Sequence, residues 1–308
     1  MSLAVLEPGI ESRVVDLGRP RTRSLGVPVG GAADRRSLIL GNSLVGNPPD
    51  AAALEMTLKG PRLRAEVDIG CVIFGAPFDV RCDGYTVEVN RAFTWRSGQE
   101  LSIGGTSRGA RAYLCVRGGL QAAPVLDSRS AMEPIRRGET LPCASSSIVA
   151  RWCPELQPNL ANVVSVAAVA GLQASWFDES QFFAQLFEVS DASNRMGLRL
   201  KGKPLTMPKR EMTSEPVCPG AVQATPDGQC IVLGVDGQTI GGYPKVAQVI
   251  QADLDKLGQL RPGNTLVFSK TALEEAIERD RRALADLDKW SLWLRLSLDA
   301  FPGDRRFA

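Results

Sequence analysis

The stretch Arg111-Ala-Tyr-Leu-Cys-Val-Arg117 (RAYLCVR) decides the class of fold. Ala112, Leu114 and Val116 alternate with Arg111, Tyr113, Cys115 and Arg117, the period of two that sends successive side chains to opposite faces of a sheet. The same period appears upstream, where Tyr85, Val87 and Val89 alternate with Thr86, Glu88 and Asn90 as in a half-buried strand. Leu101 and Ile103 follow a turn at Ser97-Gly98. One helix interrupts these strands: Asp34 is placed as an N-cap, and RRSLILGNSLVG carries Leu38, Ile39 and Leu44 toward a core.

Downstream, residues 121–160 are richer in Pro, Ser and Arg and less periodic. They read as a connection holding a short strand near Ile148–Ala150. VVSVAAVAG (163–171) follows as a buried strand, and Asp178 opens a short helix, DESQFFAQLF. Further strands are expected at Phe187–Val189, Leu198–Leu200, Val222–Ala224, Ile231–Val235 and Thr265–Phe268. Thr271-Ala-Leu-Glu274 has the form of a capping box. Behind it Leu273, Ile277, Leu284 and Leu287 recur at helical spacing, for a C-terminal helix that packs on the body or meets a partner. The phrases WRSGQELSI (95–103) and LRPGNTLVF (260–268) echo each other, each a turn before an alternating strand, as in a duplicated barrel unit. The chain is therefore expected to be mainly β, divided into an N-terminal β subdomain (1–120), a connecting segment (121–160), a C-terminal β subdomain (161–270) and a helical tail (271–308).

Composition narrows the chemistry. The 308 residues carry 36 Lys and Arg against 34 Asp and Glu, so no excess of positive charge calls for nucleic acid. Histidine is absent, which removes the commonest general base and zinc ligand and every Ser-His or Cys-His pair. Acid–base work falls to carboxylates, Tyr, Lys or Cys. The seven cysteines are odd in number and form no C-x-x-C pair, which fits reduced thiols in the cytoplasm and no metal site. No signal-peptide pattern or membrane-length apolar run occurs. Neither G-x-x-x-x-G-K-[ST] nor G-x-S-x-G is present.

Polar residues among glycines mark the candidate sites. DGQTIGGYP (236–244) holds three glycines beside Asp236, Gln238, Thr239 and Tyr243, and reads as a tight turn or a ligand loop. GVPVGGAAD (26–34) runs into a helix start whose amides could receive an anion, or is a plain strand-to-helix turn. Asp16 and Arg19 lie in DLGRP, and Asn42 and Glu55 flank the helix and its exit. Glu55, between Leu54 and Met56, needs an internal Arg partner or a site to serve. SRS (128–130) and SNR (193–195) offer hydroxyls and guanidinium groups, either to an oxyanion or simply to solvent.

Several of these phrases together carry a resemblance. VVDLGRPRTRSLGVPVGGAAD, GNSLVGNPPDAAALEMTLKGP, YLCVRGGL with LDSRS, SNRMGLRLKG, SEPVCPGAVQATPDGQCIVL and DGQTIGGYPKVAQVIQADLDKLGQLRPG resemble, in order over residues 13–278, the allophanate hydrolase subunit 2 or KipA-like family. Ala33 and Cys230 depart from that family's usual Met and Pro. The resemblance implies a cyclophilin-like β-barrel architecture, as one barrel or two related barrel subdomains with a few short helices. It implies an ATP-dependent 5-oxoprolinase subunit working with KipI-like and LamB-like partners on a small amide or lactam, with ATP held by this chain or a partner. The alternatives it implies are a carboxyltransferase acting on urea or a related amide with carboxybiotin, or a KipA-like regulatory binding protein. On this reading Asp16, Asp34, Glu55, Asp236 and Tyr243 are candidates for proton handling. Arg19, Arg129 and Arg195 are candidates to pair with carboxylate or phosphate. Asn42, Ser128, Gln223, Gln238 and Thr239 would orient substrate, and Gly241 and Gly242 would let a planar amide lie against the backbone.

Overall fold

The computed structural model describes residues 1–153, 156, 158 and 160–300, with side chains through 297. Its contacts group the chain into two units. The first takes Met1–Gly18, Asp34–Leu160 and the chain from Asp286 on; the second takes Arg19–Ala33 and Ala161–Ala285. Each is built on β structure, as the alternating segments require.

The strands of the first unit are β1 (Ser2–Glu7), β2 (Glu11–Val15), β3 (Ala53–Thr57), β4 (Arg62–Ala65), β5 (Ile69–Gly75), β6 (Phe78–Cys82), β7 (Tyr85–Thr86), β8 (Arg91–Trp95), β9 (Glu100–Thr106), β10 (Arg111–Val116), β11 (Thr140–Pro142) and β12 (Arg151–Trp152). They form two six-stranded sheets, ordered β11-β1-β4-β9-β6-β7 and β12-β8-β5-β10-β3-β2. Leu3, Leu63, Trp95 and Leu101 meet Leu54, Ile73, Leu114 and Val116 in one buried cluster. Each such aliphatic side chain contributes about 1.5–3 kcal/mol by leaving water.

The helix α1 (Arg35–Leu44) starts where Asp34 caps it, the carboxylate accepting from the Ser37 amide at 2.9 Å. It packs on β5 and β10. Close approach depends on Gly41, where a Cβ would stand 2.8 Å from Cys115 Sγ and 2.9 Å from Phe74 Cβ. That contact explains a departure from the alternating pattern. Every residue of β10 is buried, because α1 covers the Cys115 face while Ala112, Leu114 and Val116 enter the core. Upstream, β7 keeps only Tyr85 and Thr86. The chain then leaves the ladder, with Asn90 in the left-handed region at φ +61° and its side-chain oxygen accepting from the Gly75 amide. The strand expected at Ile148–Ala150 is instead Arg151–Trp152, paired with β8.

The second unit holds β13 (Val163–Ala170), β14 (Phe187–Val189), β15 (Gly197–Lys201), β16 (Glu215–Pro216), β17 (Ala221–Ala224), β18 (Cys230–Leu233), β19 (Ile240–Gly241), β20 (Lys245–Val249) and β21 (Thr265–Lys270). Seven of them close a barrel in the order β13-β20-β17-β18-β15-β14-β21. Closure comes from the parallel pairing of β13 with β21. Val166, Leu198, Leu200, Val222, Val232 and Phe268 fill its interior, and Phe182 of α2 (Glu179–Phe183) stacks on Phe187 and Phe268. The expected mainly β barrel architecture is present, but only this unit closes; the first keeps its strands in two sheets. A short helix α3 (Leu254–Gly258) precedes β21.

The echoed phrases do share a structure. Gly98 and Gly263 both take positive φ, +85° and +83°. In each turn the leading arginine's amide donates to the side-chain oxygen of Gln99 or Asn264 further along, Arg96 at 3.0 Å and Arg261 at 3.1 Å.

The tail is helical as α4 (Leu273–Ala300); residues 301–308 lie outside the described ones. The capping box does not form. Thr271 Oγ1 is buried without a hydrogen-bond partner, and the helix begins after it. The buried stripe also differs from the expected one. Leu273, Ile277 and Leu284 are exposed, while Ala276 packs against Ala167 and Ile250. Asp280 accepts from the Ala252 amide and Arg279 pairs with Asp253. In the first half of the helix the small Ala276 side chain and these polar ties set which face turns inward.

Candidate functional site

Register places four outward-facing side chains side by side across the barrel. Arg199 of β15 pairs with Ile231 of β18, Ile231 with Gln223 of β17, and Gln223 with Lys245 of β20. Their neighbours Leu198, Leu200, Val232, Val222 and Ala224 point inward, as a period of two demands. Lys245 joins the row through a bulge. Val222 pairs with Ala247 but Gln223 pairs with Lys245, so Val246 is the extra residue that re-aims the lysine.

The end of this row at Gln223 and Lys245 lies beneath β16 and β19, which pair with each other as a two-stranded flap. Gln223 and Lys245 are consequently almost fully buried. A buried ammonium needs a partner, and Lys245 Nζ donates to Glu215 Oε2 of β16 at 2.5 Å. Gln173 donates to both Glu215 oxygens at 3.3 and 3.4 Å, and its own oxygen accepts from the Lys245 amide. The Lys245 hydrogen bond is the main reason the Glu215 carboxyl titrates below its ordinary range.

The loop 236–244 supplies the flap's second strand. A Cβ at Gly241 would stand 2.6 Å from Gln223 Nε2 and 2.8 Å from Gln238 Nε2, so both side-chain amides come close against the backbone there. Gln223 Nε2 also donates to the Tyr243 carbonyl at 3.4 Å, and Thr239 accepts from the Val217 amide through its carbonyl. Gly242 faces Ser214. The Tyr243 ring is half exposed. It lines an open groove of about 440 Å³ with Arg199, Ile231, Thr225 and Asp227, at the uncovered end of the row. The loop thus makes a turn that carries one strand of the flap and brings the Gln223 and Gln238 amides together at Gly241.

The start of the same loop is an anchor. Arg195 grips Asp236 with both prongs, Nε to Oδ2 at 2.7 Å and Nη2 to Oδ1 at 3.0 Å, and Nη2 also donates to the Gly31 carbonyl. The Gly30 amide donates to the Val235 carbonyl, and a Cβ at Gly30 would lie 3.1 Å from buried Arg19 Nη1. Asp236, Arg195 and Arg19 therefore gather around Gly30-Gly31 and fix where the loop begins.

The candidates of the first unit occupy internal ties. Asp16 accepts from the Ser128 and Ser130 hydroxyls at 2.6 Å each, and from the amides of Gly18 and Arg129. The Arg129 side chain donates to the Ala122 carbonyl. Tyr113 donates to Glu55 at 2.8 Å while accepting from the Asp34 amide at 2.8 Å, and Glu55 also lies 3.4 Å from Arg111. Burial, then the Glu55 and Asp34 charges, push the Tyr113 hydroxyl well above its usual range. Glu55 has thus found the internal arginine its apolar surroundings require. Asp34 fills its own helix terminus with its carboxylate, which takes the Ser37 amide an anion would have used. Asn42 donates to the Ala51 carbonyl and accepts from Asn47, closing the chain behind α1.

Of the predicted site residues, Gln223, Gln238, Thr239, Gly241, Gly242 and Tyr243 come together. Lys245, Glu215 and Gln173 belong with them and were missed. Lys245 heads KVAQV, where simple alternation puts it on the inner face with Ala247 and Val249; its one signal is a charge where an apolar side chain is due. Among the described residues no three His, Cys, Asp or Glu side chains gather as a metal site, and no helix is long and apolar enough to cross a membrane.

Comparison with known proteins places this architecture. A 5-oxoprolinase subunit of Escherichia coli K12 is 32% identical over 94% of this chain and 98% of its own. The solved structure of TTHA0988 superposes with a TM-score of 0.81 and 34% identity over 87% of this chain, which spans only 55% of that one. Kluyveromyces lactis urea amidolyase gives a TM-score of 0.86 and 27% identity over 94% of this chain, which corresponds to 20% of that enzyme. The family model for the carboxyltransferase domain, subdomain A and B, matches residues 25–270. The chain belongs to that carboxyltransferase-domain family.

Proposed function

We propose that this chain is a subunit of an ATP-dependent 5-oxoprolinase, opening 5-oxo-L-proline to L-glutamate together with KipI-like and LamB-like subunits in the cytoplasm. The observation that carries the reading is its end-to-end correspondence with the 5-oxoprolinase subunit of Escherichia coli, 94% of one chain against 98% of the other. The flap site suits the chemistry. Opening a lactam concentrates negative charge on the carbonyl oxygen, and the Gln223 and Gln238 amides that converge at Gly241 are donors suited to it. On this reading the exposed Tyr243 would give a proton to the departing nitrogen. ATP supplies the activation of the carbonyl, on this chain or on a partner.

A second reading has its own support. The family description and the 0.86 superposition on a urea amidolyase favour carboxyl transfer from carboxybiotin to urea or a related amide. A KipA-like regulatory binding protein is the third. The test is glutamate release from 5-oxoproline and ATP by this chain reconstituted with its two partners, each omitted in turn. Glutamate that vanishes when this chain is left out supports the proposal. No glutamate from partners that demonstrably associate sinks it, and urea-dependent decay of carboxybiotin would then favour the second reading.

A further inference from the structure

The cross-strand row ends in a cation that no carboxylate of the described residues pairs with. Lys245 is tied to Glu215, and Lys201 is paired with Glu188 and Asp191. Arg199 is exposed, and among the described residues its guanidinium makes no hydrogen bond or ion pair. It lines the open groove together with Tyr243, whose hydroxyl is likewise unengaged, and with Thr225 and Asp227. The Asp227 carboxyl sits below its usual range chiefly because the Thr225 hydroxyl donates to it, and the Arg199 charge is the least of its influences. Arg199 and Gln223 flank Ile231 across two strand spacings, about 10 Å between backbones. A small ring seated in the groove beside Ile231 and Tyr243 would therefore carry a substituent within reach of Arg199. Guanidinium is the cation best matched to a carboxylate, through two parallel hydrogen bonds. Asp227 in the same groove disfavours a polyanion such as a triphosphate, which would bring several negative charges onto its carboxylate. It tolerates one negative charge and can accept from a lactam N–H.

We propose that Arg199 anchors the substrate carboxylate, so that this face of the barrel selects small lactams or amides bearing a single carboxylate. The inference rests on the 5-oxoprolinase reading and adds to it the residue that determines specificity. The experiment uses the reconstituted complex and the Arg199→Gln variant, at an exposed position. The KM for 5-oxoproline should rise about ten- to a hundredfold, as expected for loss of a charge-assisted pair. The inhibition constant of 2-pyrrolidinone, the same lactam without the carboxylate, should stay within about twofold of wild type. Arg199→Lys should recover part of the loss. If the wild-type complex turns over and both constants move together, or neither moves, the carboxylate assignment is wrong while the 5-oxoprolinase reading stands. If the wild-type complex is inactive, that reading fails, and calorimetry on this chain decides the groove separately. Binding of 5-oxoproline that Arg199→Gln abolishes supports the site; no binding, or binding of inorganic phosphate in its place, overturns it.

Discussion

Replacing Asp236 by Asn separates an anchoring role from a chemical one. The carboxylate holds Arg195 through bonds of 2.7 and 3.0 Å, with the arginine side chain 4% exposed and the aspartate 24%. Asparagine keeps one acceptor and turns an NH2 toward a guanidinium N–H, so one of two charge-assisted bonds becomes a donor–donor contact. The buried Arg195 charge keeps the Gly31 carbonyl but loses half of this fork. Breaking one side of a buried pair costs about 3–5 kcal/mol, and the partial exposure of Asp236 puts this case near 3 kcal/mol. Hydrogen exchange reads that cost locally. The Gly30 amide, bonded to the Val235 carbonyl, and the Asp236 amide, bonded to the Arg195 carbonyl, open when the anchor opens. At about 1.4 kcal/mol per factor of ten, their protection should fall roughly a hundredfold or slightly more. Protection within about threefold of wild type would refute the anchoring argument. Activity lost without that change would make Asp236 part of the chemistry.

Three other outcomes follow from the same geometry. Tyr113→Phe removes the hydroxyl that joins the buried Asp34 amide to Glu55, and should cost about 2 kcal/mol, read as an earlier melting transition; an unchanged midpoint would contradict the tie. The Glu215 carboxyl titrates lower when folded than its ordinary 4.5, so its contribution is complete above that value and fades as pH falls through the folded one. Denaturation midpoints followed downward from neutral pH should show that acid limb flattened in Glu215→Gln, and an identical limb would remove the pair from the account. Of the seven thiols only Cys218 is exposed, so a thiol-specific reagent should label one cysteine quickly in the native protein and all seven after unfolding.

Period and punctuation carried much of the fold. Asp34 and Asp178 cap helices as their positions promise, and the strands around Leu198, Val222 and Thr265 stand where alternation puts them. What escaped depended on distant partners. RAYLCVR reads as half buried because nothing in it announces that α1 will cover its second face. Thr271 matches a capping box by spacing, yet its amide is drawn to the Ala168 carbonyl and the helix begins beyond it. The site was half legible. Glycines 241 and 242 and the amides beside them mark the loop, but Lys245 is concealed by a bulge that inverts its face, and Glu215 becomes relevant only when β16 pairs with β19. Carboxylates such as Asp16 and Glu55 draw attention in a sequence because they are costly to bury. In the folded chain that cost is met by hydroxyls, amides and an arginine, which leaves them occupied.

The parallel seam between β13 and β21 sets an order of events during synthesis. Its two strands begin about a hundred residues apart, and β21 is the last strand among the described residues. The sheets of the first unit draw on strands that end by Trp152, so they can pair while later segments are still being made. The barrel cannot close until Lys270 has left the ribosome, and until then β13 and β14 each present an open edge. A chain released before Thr265 would keep those edges unpaired and open to pairing with other chains.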